Sequence, residues 1–348
     1  MSVAERKDAH LSLCLSEEVE PGGAATNGFA GLRFDHDALP EIDLADVRTG
    51  VELLGRRLAA PLVIGAMTGG TARAGQVNAR LAAAAARCGV GFALGSQRRM
   101  LQDEATRATY AVREVAPDLP LLFGNLGAVQ LVRGVGLREL RRLVAGVGCD
   151  AFFFHLNPLQ EAIQPEGDTC FRGVAERLRE VVPQLGVPAL VKEVGSGISE
   201  TTARKLAALP IAGVETAGVG GTSWARVESL RAGDPSRRAL GERFARWGIP
   251  TAESVAICRR VLPDRVVIAS GGLRDGLEVA KALALGADAA ALALPFLRAA
   301  DRSEDAVVEE IERLLAELRT AMFLTGCATV AELRGRRLVA APDPAAAP

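Results

Sequence analysis

The sequence has few of the residue types on which many enzymes and binding modules depend. Aromatic residues make up 4% of the 348 residues, and the only histidines are His10, His36 and His155. So few imidazoles argue against a histidine-cluster metal site and a Ser/His/Asp mechanism. The six cysteines are scattered without a Cys-x-x-Cys pair. This argues against a zinc site or a disulfide framework and is typical of a reduced cytoplasm.

Strong charge and long apolar runs are also missing. The formal net charge is −1, so neither nucleic acid nor an anionic membrane is an expected partner. No run of about 18 apolar residues is present, so no transmembrane helix is expected. The charged start, residues 1–10, shows no signal peptide. We therefore predict a cytoplasmic protein.

What the sequence does contain is eight short apolar runs, separated by helical patterns. The runs are 61–66, 91–94, 121–125, 151–156, 189–192, 212–216, 266–270 and 289–294. Strands that alternate with helices predict an α/β protein with a parallel sheet, and eight strands close a (β/α)8 TIM barrel. An open doubly wound sheet is the alternative. No Gly-x-Gly-x-x-Gly follows the first run, which disfavours that alternative.

The barrel is expected to occupy residues 59–338. Residues 1–58 are read as an irregular N-terminal extension and lid, whose segment 34–42 could cover the bottom or the mouth of the barrel. The Ala/Pro-rich end, 339–348, is expected to be a disordered tail. The long connection 219–263 is expected to be functional or partly helical.

A dense polar stretch follows the fourth run. It begins at His155 and continues through Gln160 and Glu161 to Asp168, while Pro158 ends the strand. In α/β proteins ligands bind past such strand ends, and polar groups are costly to hold near an apolar core. A ligand site is therefore one interpretation, and a polar turn that caps the next helix is the other.

Small or polar residues end the other strands as well. Lys192 is costly there unless it meets an anion or an electron-rich ring; an ion pair with Glu193 or another neighbour is the alternative. Glycine-rich turns after the sixth and seventh strands indicate a phosphate cradle, and a barrel with such a cradle most often binds FMN. The carboxylates of Glu161, Glu166 and Asp168 could hold Mg²⁺, and Glu161 alone would suffice if the substrate were a diphosphate.

Taken together, these motifs resemble the type 2, FMN-dependent isopentenyl-diphosphate delta-isomerases. The resemblance runs from residue 6 to about residue 338, and one departure is Glu215-Thr216-Ala217, where Asp/Glu-Val-Ala is expected. The matching motifs are Met67-Thr68-Gly69-Gly70, Gly95-Ser96-Gln97-Arg98, the stretch 155–161, Gly220-Gly221-Thr222-Ser223-Trp224, Trp247-Gly248-Ile249-Pro250-Thr251 and Ser270-Gly271-Gly272.

The resemblance implies an isomerase of isoprenoid biosynthesis. It would interconvert isopentenyl diphosphate and dimethylallyl diphosphate, an allylic 1,3-proton shift that requires reduced FMN and Mg²⁺. NADPH would supply the reducing electrons, and the reduced flavin itself would move the proton through its N5 region. The family also implies a homo-oligomer, either a tetramer or an octamer.

Residue roles follow from the same resemblance. The FMN-binding residues would be Met67, Thr68, Gly69, Ser96, Asn125, Lys192, Thr222, Gly271, Gly272, Ala293 and Leu294. The substrate would be bound by Arg6, Lys7, Ser96, Gln97, Arg98 and Gln160. Glu161 would bind the metal, and Gln160, His155 and Lys192 would form the catalytic set. His155 could instead be a core histidine bonded to the backbone. Arg6 and Lys7 would close over bound substrate as a lid.

Three rival functions remain at this point. A 2-hydroxy-acid oxidase would want a histidine near the seventh strand, but none follows His155. A nucleotide dehydrogenase would want a cysteine after the sixth strand, where Thr222-Ser223 stands. A non-catalytic phosphate sensor has no need for Gln160 beside Glu161.

Overall fold

Eight parallel strands close into a barrel in the computed structural model, which describes residues 3–21 and 26–341. Each barrel strand pairs with the next one in the chain, and the last pairs with the first. In chain order the barrel strands are β4 (Leu62–Ile64), β5 (Gly91–Ala93), β6 (Leu122–Gly127), β7 (Ala151–His155), β8 (Ala189–Lys192), β9 (Gly213–Glu215), β10 (Val266–Ser270) and β11 (Ala289–Leu292). All eight predicted strands are confirmed, and the closed ring excludes the open doubly wound sheet.

Among the described residues, four further strands lie outside the barrel: β1 (Leu32–Phe34), β2 (Val51–Leu53), β3 (Arg56–Leu58) and β12 (Leu338–Ala340). Strands β2 and β3 form an antiparallel hairpin. Its Leu53 and Leu58 are buried against residues that begin the barrel strands, such as Leu121 and Ala289. Above them the rings of Phe123 and Phe153 stack with centroids 4.5 Å apart. The hairpin therefore closes the bottom of the barrel.

Helices surround the ring: α1 (Val3–Ser16), α2 (Ala72–Cys88), α3 (Arg98–Gln102), α4 (Val129–Val132), α5 (Leu137–Val147), α6 (Pro158–Ile163), α7 (Val174–Val181), α8 (Glu200–Ala207), α9 (Trp224–Arg231), α10 (Pro235–Phe244), α11 (Thr251–Val261), α12 (Gly276–Ala284), α13 (Leu294–Arg302), α14 (Glu304–Phe323) and α15 (Val330–Leu333). Side chains cap several of them; Thr71, for example, accepts from the Ala74 N–H at the start of α2. The long connection after β9 is partly helical, as predicted, because it contains α9, α10 and α11.

The chain ends differ from the prediction. The extension expected to be irregular begins with the 14-residue helix α1, which packs against α2, α9 and α13. Segment 34–42 is attached to the end of α14, where the Asp37 N–H donates to the Leu324 carbonyl. The expected disordered tail contributes to β12, which pairs with β1. Residues 342–348 of that tail lie outside the described residues.

Within the described ranges, no helix is both long enough and apolar enough to cross a membrane.

Candidate active site

A cavity opens at the carboxyl ends of the barrel strands, beneath helix α1. It measures about 240 Å³, whereas a depression beside Trp247 measures about 10 Å³, room for about one water. Its walls combine apolar side chains with convergent amides and charges. A cavity of this kind at the mouth of a (β/α)8 barrel is the expected place for a ligand.

Most predicted site residues line this one cavity. They are Arg6, Lys7, Met67, Thr68, Ser96, Arg98, Asn125, His155, Gln160, Glu161, Lys192, Thr222, Gly271, Gly272, Ala293 and Leu294. Two predicted residues, Gly69 and Gln97, do not line it. The roles of these residues toward a ligand stay predictions, but the fold brings them together from all parts of the chain.

The Gln97 side chain is buried away from the cavity. Its amide nitrogen donates to the Leu143 carbonyl at 3.2 Å, and its amide oxygen accepts from the Asn125 N–H at 2.9 Å. Both ends of the amide are therefore bonded within the protein, and the side chain is fully buried. The structure thus differs from the predicted diphosphate contact and gives Gln97 the task of fixing the strand that carries Asn125.

Helix α1 lies across the mouth and is anchored by Lys7. The Lys7 Nζ donates to the carbonyls of Gly69 and Ser96, at 2.5 and 2.9 Å, and to the Tyr110 hydroxyl at 2.8 Å. Burial, with the nearby Arg6 and Arg99, lowers the pKa of Lys7 to about 7. The Lys7 amine is therefore held at the cavity wall, and a bound anion would favour its protonated form. Gly69 serves this anchor through its carbonyl.

His155 and Asn125 form a bonded pair on neighbouring strands. The His155 Nδ1 lies 2.8 Å from the Asn125 Oδ1, so Nδ1 is the protonated nitrogen in this arrangement. Burial, followed by the charges of Lys192 and Lys7, lowers the pKa of His155 to about 3. The imidazole is thus neutral near pH 7. It orients the Asn125 amide at the cavity and does not add positive charge.

Lys192 pairs with Glu215 rather than with Glu193. The Lys192 Nζ lies 3.5 Å from the Glu215 Oε1 and donates to the Glu193 carbonyl at 2.6 Å. The Glu193 carboxylate accepts three backbone N–H groups, from residues 194–196. The ion pair predicted as an alternative for Lys192 therefore exists, with Glu215 as the partner. Both side chains line the cavity, so the pair does not remove Lys192 from it.

Two glycine turns pack backbone against backbone beside this lysine. A Cβ on Gly271 would lie 2.1 Å from the Gly218 carbonyl oxygen, and one on Gly272 would lie 2.2 Å from the Gly220 backbone. Both glycines have positive φ, +107° and +76°, which favours residues without a Cβ. The two turns approach each other so closely that no side chain fits between them. Gly271 and Gly272 line the cavity together with Leu294, the first residue of α13. These residues fit the phosphate end of FMN.

The Glu161 carboxylate is fixed in position by its neighbours. It is 7% exposed; its Oε1 accepts from the Asn157 amide at 2.9 Å and its Oε2 from the Asp168 N–H at 2.6 Å. The Asn157 Oδ1 is buried and has no hydrogen-bond partner within residues 3–21 and 26–341. No cluster of three or more His, Cys, Asp or Glu in those residues could hold a metal. The donor set thus fits a Mg²⁺ that takes its other ligands from water and a diphosphate.

A buried acidic residue, Glu228, was missed by the sequence analysis. Its carboxylate lies 3.0 Å from the His10 Nε2, and it accepts from Arg231 at 2.8 Å and from the Gln160 amide at 3.4 Å. Burial would raise the pKa of Glu228, but its bonds to His10 and Arg231 outweigh burial and lower it. Glu228 therefore stays ionised and ties α1 and α9 to Gln160. No signal near residue 228 in the sequence connects it with the distant 155–168 stretch.

The fold and a family model define the class of the protein. Residues 172–340 match the model described as FMN-dependent dehydrogenase. A structure of mandelate oxidase with 3,3-difluoro-2-hydroxy-3-phenylpropionic acid is 22% identical, with a TM-score of 0.66, and covers 97% of this chain and 99% of that chain. A structure of a mandelate oxidase mutant with (S)-mandelic acid is 19% identical, with a TM-score of 0.65. It covers 98% of this chain and 99% of that chain. At this identity the likeness establishes the fold alone, so the protein is a TIM barrel, and the second half of its chain is similar to the FMN-dependent dehydrogenases.

Closer relatives define the family. Isopentenyl-diphosphate delta-isomerases from Synechococcus sp., Nostoc sp. and Stutzerimonas stutzeri are 50%, 48% and 47% identical to this chain. They cover 96%, 94% and 97% of it, and the matches span 95%, 93% and 97% of the relatives. The chain belongs to the FMN-dependent, type 2 isopentenyl-diphosphate delta-isomerase family, and it is an isomerase.

Proposed function

We propose that the protein interconverts isopentenyl diphosphate and dimethylallyl diphosphate by a 1,3-proton shift that depends on reduced FMN and Mg²⁺. NADPH would supply the electrons that reduce the flavin. One observation carries the proposal: Gln160 and Glu161 share a single cavity with Lys192 and with the cationic start of α1. A carboxylate for a metal, cations for a diphosphate and a lysine for a flavin ring are the parts that this reaction needs.

The flavin half of the cavity is built from strand ends. When bound, reduced FMN supplies the group that gives and takes the proton. Lys192 would face the N1–C2 edge of the ring and stabilise negative charge there. Asn125, fixed by His155, would bond a polar edge of the ring, and the turns at Gly271 and Gly272 would hold the phosphate. The same cavity wall supports the remaining predicted flavin contacts, Met67, Thr68, Ser96, Thr222, Ala293 and Leu294.

The diphosphate half is cationic. Arg6, Lys7 and Arg98 line the same cavity and would neutralise the two phosphate groups. Glu161 would hold Mg²⁺, which would supply further positive charge to neutralise the diphosphate. Gln160 is held between Asn157 and Glu228, with its oxygen 3.1 Å from the Asn157 amide nitrogen. That position would set Gln160 beside the alkene, where it can orient the reacting carbons.

Helix α1 supports a second part of the proposal, the exclusion of water. It carries Arg6, Lys7, His10 and Leu11 on the side that faces the cavity. A helix that presents Arg6 and Lys7 to a diphosphate site would close on the substrate and shield the reacting carbons from solvent. The lid predicted from the sequence would thus be helical.

Two properties of the whole protein complete the proposal. We place the enzyme in the cytoplasm, because all six cysteines are free thiols, as a reducing compartment would leave them. We also propose a homo-oligomer, a tetramer or an octamer. Support for this assembly comes from the family that the chain belongs to.

Flavin uptake followed by an omission series tests the proposed function. The purified protein should be yellow, or become yellow with added FMN. Conversion of isopentenyl diphosphate should require FMN, a reductant and Mg²⁺ together, and EDTA should stop it. A protein that takes up no FMN, or that turns over fully without Mg²⁺, would contradict the proposal.

A further inference from the structure

One buried carboxylate oxygen in the cavity is left without a partner. Glu215 is 3% exposed, and its Oε1 accepts from the Ser270 hydroxyl at 2.9 Å. Its Oε2 is buried but accepts no hydrogen bond from any residue in the part of the chain that the structure describes. Glu215 lines the cavity, so this oxygen has a ligand site within reach.

The carboxylate is held in place from two sides. Glu215 is the register partner of Lys192 on β8, whose Nζ lies 3.5 Å from Oε1. The Ser270 Oγ accepts from the Ala217 N–H at 2.9 Å, which directs the hydroxyl proton toward Glu215. Both available donors therefore converge on Oε1. Rotation of the carboxyl group would lose them, so the second oxygen stays unpaired.

A buried carboxylate oxygen without a donor is costly to retain. The nearby Lys192 does not act as a donor to Oε2, because its ammonium is directed to Oε1 and to the Glu193 carbonyl. The missing donor is therefore expected on a bound ligand. A diphosphate is anionic and an alkene has no polar hydrogen, so the proposed substrate offers no donor.

FMN does carry donors, and the position of Glu215 selects among them. Lys192, on β8, would face the ring edge, while Gly271 and Gly272 follow β10 and would hold the phosphate. Glu215 ends β9, the strand between these two. The ribityl chain of FMN connects the ring to the phosphate and bears hydroxyl groups, so it must pass this point.

We propose that the Glu215 Oε2 accepts a hydrogen bond from a ribityl hydroxyl of FMN. This inference rests on the proposed function and adds a cofactor contact to it. Glu215 then has two tasks: its Oε1 positions Lys192, and its Oε2 selects a flavin with an intact ribityl chain.

A cycle of protein variants and flavin analogues tests this contact. Apoprotein is titrated with FMN and with its 2′-, 3′- and 4′-deoxy analogues, and flavin fluorescence reports the Kd. In the unaltered protein one analogue should bind about tenfold to hundredfold more weakly than FMN, the range for a charge-assisted hydrogen bond. In Glu215→Met, which removes the acceptor at similar volume, FMN and that analogue should bind equally.

Two further variants keep the test decisive. Glu215→Gln retains an acceptor for Ser270 and Lys192 and serves if Glu215→Met does not fold; its analogue penalty should shrink to a few-fold. Ser270→Ala removes the partner of Oε1 alone, so the full analogue penalty should remain.

Several results would overturn the inference. Equal penalties in the unaltered protein and Glu215→Met would show that Glu215 does not meet the hydroxyl. A penalty seen only with FMN methylated at the ring N3 would assign the contact to the imide N–H instead. A protein that binds no flavin at all would contradict the proposed function itself. FMN binding with an analogue penalty that does not depend on Glu215 would contradict only this inference.

Discussion

At the scale of single residues, the site depends on charges kept at fixed positions by neutral groups. Asn157 aligns the Glu161 carboxylate, and His155 aligns the Asn125 amide. Because burial and the neighbouring lysines keep the pKa of His155 far below 7, its imidazole orients without competing for protons. In the proposed function, this division would leave proton movement to the cofactor and charge compensation to the protein.

Replacing Glu161 should separate metal binding from flavin binding. Glu161→Gln should lower Mg²⁺-dependent turnover by about a hundredfold or more, because a catalytic metal is worth several kcal/mol of charge stabilisation. FMN affinity should be unchanged, since Glu161 lies on α6 and away from the glycine turns. Turnover against Mg²⁺ concentration and a flavin titration measure the two effects.

Glu166 supplies the matched control for that experiment. It is a nearby carboxylate, but it pairs with Arg231 at 2.9 Å and is 38% exposed. Glu166→Gln should retain the normal dependence on Mg²⁺ concentration. Wild-type activity of Glu161→Gln at low Mg²⁺ would rule out the metal assignment.

The pKa of Lys7 gives a pH prediction. A lysine with a pKa of about 7 is charged below that pH and loses its charge above it. If Lys7 binds the diphosphate, kcat/KM should fall about tenfold between pH 6 and pH 8, since this ratio reports the free enzyme. The pH profile of kcat/KM, measured with saturating FMN and Mg²⁺, checks it.

Lys7→Arg is the control, because arginine stays charged throughout this range. Its profile should be flatter, and any slope that remains belongs to the diphosphate and to other groups. Identical slopes in the two proteins would show that Lys7 does not titrate at the site.

At the scale of elements, α1 is the part whose role the sequence left most open. Its buried apolar side chains, Leu11 and Cys14, are only three residues apart. Its polar residues Lys7 and His10 face the cavity rather than solvent. A helix that buries polar groups against a ligand site lacks the apolar stripe that marks a helix in sequence.

Removing the start of this helix should affect substrate binding more than folding. Deletion of residues 1–9 removes Arg6 and Lys7, so KM for the diphosphate should rise. The expected rise is about tenfold or more, which corresponds to the loss of one charge-assisted hydrogen bond. The thermal midpoint should change little, because the barrel strands are untouched. Steady-state kinetics and thermal unfolding measure the two effects side by side.

The double variant Arg6→Gln/Lys7→Gln keeps the helix but removes its charges. Similar KM values in this variant and in the deletion would assign the effect to charge rather than to cover. Unchanged kinetics after the deletion would mean that α1 has no part in catalysis.

Sequence patterns predicted some parts of the fold and missed others for physical reasons. The eight strands were predictable because buried parallel strands are continuous apolar runs, as in Ala151–His155. The hairpin β2–β3 was not, because Leu53 and Leu58 stand among charged residues and show their burial only when the barrel is built. Glu228 was missed for a similar reason: its link to Gln160 spans 68 positions, and its link to His10 spans more.

Gln97 shows the opposite error. It lies in a motif with Ser96 and Arg98, and both of those residues do line the cavity. As residue 97 begins the turn into α3, its side chain is directed inward to the Leu143 carbonyl. A motif fixes which residues adjoin each other in sequence, whereas the turn decides which side chains face the ligand.

At the scale of the whole molecule, the barrel divides its two ends between stability and chemistry. The hairpin and the Phe123–Phe153 stack fill the bottom with apolar side chains. The mouth collects buried charges that would be costly in a core without ligands, such as Glu161, Lys192 and Glu215. Packing of the apolar bottom stabilises the barrel, so that the fold tolerates buried charges at the mouth.

The most direct test of the proposed proton shift is isotope exchange. The enzyme is incubated without oxygen in deuterated water with reduced FMN, Mg²⁺ and isopentenyl diphosphate, and the C5 diphosphates are examined by NMR and mass spectrometry. A 1,3-proton shift through a group that exchanges with solvent predicts deuterium in dimethylallyl diphosphate and in recovered isopentenyl diphosphate. Conversion or incubation that leaves both compounds free of deuterium would contradict the account.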